Sequence, residues 1–129
     1  FQKERQGQWT KGKSHDTFAP LGPWLVTADE IPDPGILDLQ LSVNGALRQQ
    51  SNTRYLILGV PELIELASSF YTLYPGDVIF TGTPEGVSPI QPGDEVSASI
   101  DQIGSMTVRV RAADSAGVAE LSASAQARS

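Results

Sequence analysis

The stretch Leu37-Asp38-Leu39-Gln40-Leu41-Ser42-Val43-Asn44-Gly45 says most about the fold of this chain. Apolar and polar residues alternate from Leu37 to Val43, and this alternation puts the apolar side chains on one face of a β-strand. Asn44-Gly45 suits a tight hairpin turn, because both residue types tolerate positive φ. The stretch therefore predicts a strand, a two-residue turn and a return strand from Ala46 to Gln50.

Further short strands are predicted on both sides of this hairpin. Prolines and glycines precede Trp24–Thr27, which reads as a strand after an ordered loop. Pro75-Gly76-Asp77 and Pro92-Gly93-Asp94 each predict a turn that launches a strand, since proline presets φ and glycine supplies positive φ. The first would lead into a buried strand through Phe80, and the second into a hairpin with its turn near Gly104.

One helix is predicted, from Pro61 to about Tyr74. Pro61 suits the first helical turn, where its missing N–H costs nothing, and apolar residues then recur at helical spacing. One helix among many short strands predicts a mainly β protein of the α+β class, built as a sandwich or roll.

Composition fits a single domain of 129 residues with 40% hydrophobic and 19% charged residues. The net charge of −6 disfavours general nucleic-acid binding, which depends on basic patches. No apolar run reaches the ~18–20 residues that a membrane span needs, and nothing reads as a signal peptide. With no cysteine the chain has no disulfide or thiolate site, which suits the cytoplasm. The alanine- and serine-rich residues 112–129 predict a disordered tail.

The glycine loop Thr81-Gly82-Thr83-Pro84-Glu85-Gly86-Val87 is the first candidate for chemistry. A phosphate-binding P-loop needs a lysine and a following helix, and the pattern here has neither. Two interpretations remain. The loop is a structural turn, the commoner use of glycine and proline, or its N–H groups and the Thr83 hydroxyl bind a carboxylate or ketone oxygen.

The segment Gly12-Lys13-Ser14-His15-Asp16 is the second candidate. A catalytic triad from three consecutive residues is implausible, because neighbouring side chains on an extended segment point to opposite faces. Lys13 is either a surface ammonium or a group that stabilises negative charge on a substrate oxygen. The acidic residues that are candidate metal ligands stand singly, and no E-x-E, H-x-E or D-x-D pair occurs.

Several segments together resemble the fumarylacetoacetate hydrolase family, in the family's order and over about residues 1–111. They are Gly7 to Trp24, Val43-Asn44-Gly45, Pro61 to Ile64, Pro75 to Ile79, Thr81 to Val87 and Pro92-Gly93-Asp94. The resemblance implies a mixed β-sandwich roll, usually in homodimers. It also implies a divalent metal, Mg²⁺ or Mn²⁺, and a 2-oxo or β-diketo acid substrate. The expected reaction is acylpyruvate-type C–C cleavage through an enolate; decarboxylation, isomerisation and ureidoglycolate cleavage are the family's alternatives.

The resemblance assigns roles to three residues of this sequence. Lys13 would hold the substrate oxyanion or carboxylate, Gln2 would hydrogen-bond the substrate, and Thr83 would grip its carboxylate. His15 stands where the family commonly has phenylalanine, so it receives no catalytic role.

The family's metal ligands, a Glu-x-Glu pair and an aspartate, precede the position that matches Phe1. The resemblance therefore implies a fold that is incomplete at the amino end, with no metal ligand on this chain. The chain is then the carboxy-terminal part of a longer enzyme, or a companion chain supplies the rest. The alternatives are a non-catalytic dimerisation or binding module, and a phosphate-binding domain.

Overall fold

The computed structural model of the chain describes Gly7 and residues 9–112. Along the chain these residues form helix α1 (Trp9–Lys13), strands β1 (Asp38–Val43) and β2 (Ala46–Asn52), helix α2 (Val60–Phe70), and strands β3 (Glu95–Ile100) and β4 (Gly104–Arg109). Short 3₁₀ turns at Pro34–Ile36 and Thr53–Tyr55 flank the first two strands. The tail predicted to be disordered lies outside the described residues, except for Ala112.

The hairpin predicted from the opening stretch is confirmed. Val43 pairs with Ala46 across the turn, and Asn44 and Gly45 have φ values of 51° and 78°. Positive φ at both central positions gives the turn a twist that matches the twist of the two strands. The return strand continues to Asn52, past the predicted end at Gln50.

A β-bulge interrupts the pairing of β1 with β2. Leu41 faces Gln49, but the next residue, Ser42, faces Leu47, so Arg48 is the extra residue on β2. A bulge of this kind leaves one residue out of the ladder and bends the strand that carries it. The candidate loop described below approaches β2 at this point.

The four strands form one antiparallel sheet in the order β2-β1-β3-β4. β1 pairs with β3 from Leu39 opposite Ile100 to Val43 opposite Val96. β3 and β4 form the second predicted hairpin, with Gly104 at a φ of 114°. The class predicted from the sequence, mainly β with one principal helix, is confirmed, although the five-residue helix α1 was not predicted.

The buried core of the described residues is small and lies next to the first hairpin. Leu37 and Val43 are 3% and 6% exposed, and Asn52 is 7% exposed. Asn52 donates to the Ile36 carbonyl at 3.1 Å and to the Asp38 carboxylate at 2.6 Å, and it accepts from the Arg54 backbone N–H at 3.0 Å. These bonds satisfy the buried amide, which would otherwise be costly to bury.

Two strands predicted from the sequence are wrong. Residues 24–27 and 77–80 have no regular secondary structure, and Leu25 and Phe80 are 86% and 65% exposed. Both segments have apolar side chains, but a strand also needs a partner for its backbone N–H and C=O groups. Among the described residues, no strand of the sheet pairs with either segment. Trp24 lies instead over Gly104, where an added methyl group would come within 3.1 Å of the indole nitrogen.

Helix α2 ends at Phe70, before the predicted end near Tyr74. Tyr71 is extended, with φ −131° and ψ 146°, and its N–H closes the last turn onto the Ala67 carbonyl at 3.0 Å. Ser68 and Ser69 bond their hydroxyls to carbonyls three residues earlier, a local bond that weakens helices near their ends. None of the helices among the described residues has both the length and the apolar character to cross a membrane.

Candidate functional site at the edge of the sheet

The glycine loop Thr81–Val87 packs against β2 at the bulge. Gly82 and Gly86 have φ values of +104° and +98°, which residues with a side chain rarely adopt. A methyl group on Gly86 would overlap the Arg48 carbonyl oxygen and would lie 3.1 Å from Cγ of Gln49. Gly86 is therefore required for close approach to the strand, whereas a methyl group on Gly82 would meet no atom within 4 Å.

The Gln49 side chain links the strand to this loop. Its Nε2 donates to the Thr83 hydroxyl oxygen at 3.0 Å, to the Pro84 carbonyl at 2.9 Å and to the Glu85 carbonyl at 3.2 Å. Gln49 is half-buried, whereas Thr83 is exposed. The amide has two N–H hydrogens for these three acceptors, so one hydrogen is shared between two of them. Gln49 thus holds three consecutive loop residues, and Thr83 is exposed.

Lys13 lies at the end of α1 and does not join this arrangement directly. Its Nζ is 5.2 Å from the centroid of the Trp9 ring, within the range of a cation–π interaction. Among the described residues, no hydrogen bond or ion pair connects Lys13 with Thr83. The structure thus describes two of the three predicted site residues but does not bring them into contact, and Gln2 lies outside the described residues.

Ser14 and His15 of the Ser14-His15-Asp16 run contact Thr10 and Phe18. Ser14 donates its hydroxyl to the Thr10 carbonyl at 2.6 Å, closing the short helix on itself. The His15 ring lies 5.2 Å from the Phe18 ring, in a tilted contact.

The carboxylates of the two Pro-Gly-Asp turns bind their own backbone. Asp77 accepts from the Tyr74 N–H at 2.8 Å, and Asp94 accepts from the Gln91 N–H at 2.7 Å. Asp94 also accepts from the Asn44 amide at 2.8 Å. The hydrogen bond from the Gln91 backbone, followed by that from Asn44, lowers the pKa of Asp94. These carboxylates stabilise turns, and no three His, Asp or Glu side chains gather at one point within residues 9–112.

A second hollow lies between Trp24 and the β3–β4 turn. It has a volume of about 100 Å³ and is lined by Trp24, Ile100, Ile103 and Met106 with small residues between them. Its polar side chains are two serines, Ser99 and Ser105, and no charged side chain lines it. The hollow is therefore mainly apolar, and its serines are the side chains that could orient a ligand there.

The sequence predicts Thr83 as a site residue but does not point to its partner Gln49. Nothing in the local pattern distinguishes Gln49 from its neighbour Gln50, and its partner Thr83 lies 34 residues further along the chain. A contact of this kind depends on how the loop packs on the strand, so no local sequence signal identifies it.

Comparison with protein families gives a match over residues 1–111 to the family described as "Fumarylacetoacetate (FAA) hydrolase C-terminal". The maleylpyruvate hydrolase of Aquipseudomonas alcaligenes is 62% identical over 99 residues, which are 77% of this chain and 34% of that protein.

Two solved structures also match most of this chain. The maleylpyruvate hydrolase of Sphingobium sp. SYK-6, in complex with manganese(II) ion and pyruvate, is 54% identical with a TM-score of 0.74; the match covers 75% of this chain and 37% of that one. The 5-carboxymethyl-2-hydroxymuconate delta-isomerase of Mycobacterium smegmatis is 49% identical with a TM-score of 0.79, covering 85% and 43%. The chain therefore spans less than half the length of these relatives.

Proposed function

Because this chain belongs to the fumarylacetoacetate hydrolase family, we propose that it is the substrate-gripping part of a metal-dependent enzyme that cleaves C–C bonds in acylpyruvate-type acids. One observation carries the proposal: about three quarters of the chain matches maleylpyruvate hydrolases, and one of these holds manganese and pyruvate. All acylpyruvates share the pyruvate fragment, and this fragment carries the carboxylate. We propose that this chain recognises that carboxylate end of the substrate.

Thr83 is the carboxylate-binding residue in this proposal. Its hydroxyl is exposed and attached to a loop that Gln49 and Gly86 hold against the sheet. A hydrogen bond to a charged carboxylate contributes more than one between neutral groups, roughly 1.5–3 kcal/mol. Binding at this end would orient the acyl carbonyl for attack by water.

Lys13 is proposed to stabilise the negative charge that develops on the substrate during C–C cleavage. When the C–C bond breaks, its electron pair stays on the pyruvate fragment as an enolate, which then takes a proton at carbon. An ammonium group near the enolate oxygen would stabilise this charge. Lys13 lies over Trp9 in the described structure, so it would have to leave that ring to reach the substrate. Gln2 is proposed to hydrogen-bond the substrate.

The divalent metal of the reaction is proposed to be Mg²⁺ or Mn²⁺. The donor set of residues 9–112 does not fit such an ion, because no three acidic or histidine side chains come together there. We propose, from the resemblance to the family, that its ligands lie outside this sequence, in a longer chain or a companion chain. The complete enzyme is proposed to be a cytoplasmic homodimer.

A substrate panel on the complete protein that contains residues 1–129 tests the proposed function. With Mn²⁺ present, we expect maleylpyruvate or another acylpyruvate to yield pyruvate, measured by NMR. An absence of turnover with every 2-oxo and β-diketo acid would contradict the proposal. Oxaloacetate and ureidoglycolate belong in the panel, because decarboxylation and ureidoglycolate cleavage are alternatives within the family.

Isomerisation is the second candidate function. The isomerase from Mycobacterium smegmatis matches 85% of this chain, a larger share than the 75% matched by the hydrolase structure. Incubation with 5-carboxymethyl-2-hydroxymuconate separates the two candidates. An isomer of unchanged mass favours the isomerase, whereas no reaction with this compound, together with release of pyruvate from maleylpyruvate, favours the hydrolase.

Replacement of Lys13 tests its role within the proposed function. In the complete protein, Lys13→Ala is expected to lower kcat more than 10-fold, a modest estimate for the loss of one group that stabilises an oxyanion. Lys11→Ala is the matched control, since it removes a nearby lysine on the same helix. Wild-type kinetics in Lys13→Ala would remove this residue from the site.

A further inference from the structure

The chemistry of the Gln49 contacts fixes which way its amide faces. Two of the three partners are backbone carbonyls, those of Pro84 and Glu85, and a carbonyl oxygen can only accept. The amide nitrogen must therefore point into the loop, since the amide oxygen would repel both carbonyls. With the nitrogen in this position, the Thr83 hydroxyl receives a hydrogen bond at 3.0 Å.

The direction of that hydrogen bond determines which donor or acceptor of the Thr83 hydroxyl remains available to a ligand. A hydroxyl group has one donor hydrogen and two acceptor lone pairs. Because Gln49 uses a lone pair of the Thr83 oxygen, the hydroxyl hydrogen is free to point elsewhere. A carboxylate has only acceptors, so a free donor hydrogen is the feature it requires. Without Gln49, the hydroxyl could instead donate to a carbonyl of its own loop.

We propose that Gln49 is a positioning residue that holds the Thr83 hydroxyl as an outward-facing donor for a carboxylate ligand. This inference rests on the proposed function, in which Thr83 binds the carboxylate of a 2-oxo acid. Gln49 acts through Thr83 and does not itself need to touch the ligand.

The backbone around Gln49 supports this arrangement. Arg48, the residue before it, is the extra residue of the bulge, and its carbonyl oxygen lies where Gly86 approaches the strand. The loop is therefore fixed to β2 at two adjacent points, through backbone contact at Gly86 and through the amide at residues 83–85. A threonine in a loop held at both points keeps one position relative to the sheet.

Gln49→Met in the complete protein is the first test, because methionine has a similar length and no donor. We expect the KM for maleylpyruvate and the Kd for pyruvate in the presence of Mn²⁺ to rise about 5- to 10-fold, with kcat nearly unchanged. Uniform loss of carboxylate binding produces this split between KM and kcat. Hydrogen exchange of the backbone amides in residues 81–87 should become faster.

Gln50→Met is the matched control. Gln50 is the next residue on the same strand, is exposed, and pairs with Gln40 on β1. Gln50→Met should leave KM, Kd and the hydrogen exchange of residues 81–87 as in the wild type. An equal change in both variants would indicate general damage to β2 and would overturn the role of Gln49.

Gln49→Glu tests the direction of the hydrogen bond. A carboxylate has no donor, so the Thr83 hydroxyl would turn towards residue 49 and be lost to the ligand. We expect a larger rise in KM than in Gln49→Met, and a partial recovery at low pH relative to the wild type, when protonation restores a donor. Loss of side-chain packing alone would not produce this recovery, which requires a donor at position 49, and its absence would count against the proposal.

A double-mutant cycle links Gln49 with Thr83. Thr83→Val removes the hydroxyl, so adding Gln49→Met should then raise KM less than 2-fold, because non-additive effects identify residues that act together. Additive effects would overturn the positioning role. If wild-type protein binds no pyruvate, the proposed function falls and this inference with it. If the wild type binds pyruvate and Gln49→Met binds equally well, only the role of Gln49 is overturned.

Discussion

At the scale of single residues, the candidate site depends on contacts that reach the backbone. Gly86 touches the Arg48 carbonyl, and Gln49 touches two carbonyls and one hydroxyl. Thr83 was predicted because its hydroxyl lies in the glycine loop and the family resemblance assigns it the substrate carboxylate. Gln49 was not predicted, because its role depends on which residues the fold places next to it.

Gly86→Ala is expected to displace the loop from the strand. The added methyl group would overlap the Arg48 carbonyl oxygen, and overpacking of this kind costs about 1–3 kcal/mol. Gly82→Ala is a matched control, since Gly82 has a similar φ of +104° but no atom within 4 Å of the added carbon. Urea denaturation of the complete protein should show a larger loss of stability for Gly86→Ala. Equal losses would mean that only the positive φ matters.

Asp94 makes stability depend on pH. The hydrogen bonds from Gln91 and Asn44 lower its pKa in the folded state, so the folded state binds a proton less readily than the unfolded one. Its contribution is therefore complete above the unfolded pKa, about 3.9, and is lost as the pH falls through the lower folded pKa. The urea midpoint of the wild type should fall in this acid range.

Asp94→Asn should have a lower urea midpoint than the wild type at pH 7 and a smaller further decrease in acid. Asp101→Asn is the control, because Asp101 is exposed and its carboxylate accepts no hydrogen bond from the described residues. Parallel pH curves for the wild type and Asp94→Asn would contradict the assignment.

At the scale of elements, the first hairpin was predictable because local pattern and turn chemistry agree. Alternation selects the strand, and Asn44-Gly45 selects the turn. The second hairpin was predictable for the same reason. The pairing of β1 with β3 was not, since Val43 and Val96 are distant in sequence and no local feature specifies their register. Residues 24–27 and 77–80 are apolar, but neither segment pairs with a strand of the described sheet, so the strands predicted there do not form.

The side chain of Asn44 makes hydrogen bonds outside its own turn. It donates to Asp94 at 2.8 Å and accepts from the Glu95 N–H at 2.9 Å, so it joins the first hairpin to the start of β3. Asn44→Gly removes these bonds and keeps the backbone free, at an expected cost of about 1–2 kcal/mol for two hydrogen bonds.

Asn44→Ala should cost about 1 kcal/mol more than Asn44→Gly, because alanine disfavours the φ of 51°. Urea denaturation of the two variants separates the side-chain bonds from the backbone conformation. If Asn44→Gly is as stable as the wild type, the link to Asp94 and Glu95 contributes nothing measurable.

At the scale of the whole molecule, most large apolar side chains of the described residues are exposed. Ile57 is 100% exposed and Phe70 is 74% exposed, and α2 contains no buried residue. Monomeric proteins rarely leave so much apolar surface in contact with water. This surface is expected to be covered in the complete enzyme, either by the rest of a longer chain or by a second copy.

The isolated polypeptide 1–129 is therefore expected to be inactive and prone to self-association. With Mn²⁺ or Mg²⁺ and acylpyruvates or oxaloacetate, it should show no turnover, because its described residues form no metal site. It should also bind a hydrophobic dye such as ANS, as exposed apolar surface does. The complete protein is the control in both assays. Robust activity of the isolated polypeptide would contradict the proposed division of the site.

The contact between Gly86 and Arg48 has a consequence for mutational tolerance. On the strand side it uses the main-chain oxygen of Arg48, so the contact makes no demand on the identity of the side chain at position 48. On the loop side it leaves no room for a side chain at position 86. The surface beside the loop can thus change in charge and size by substitution at position 48, while position 86 stays glycine. In variants of this chain, a tolerant position then lies against an intolerant one.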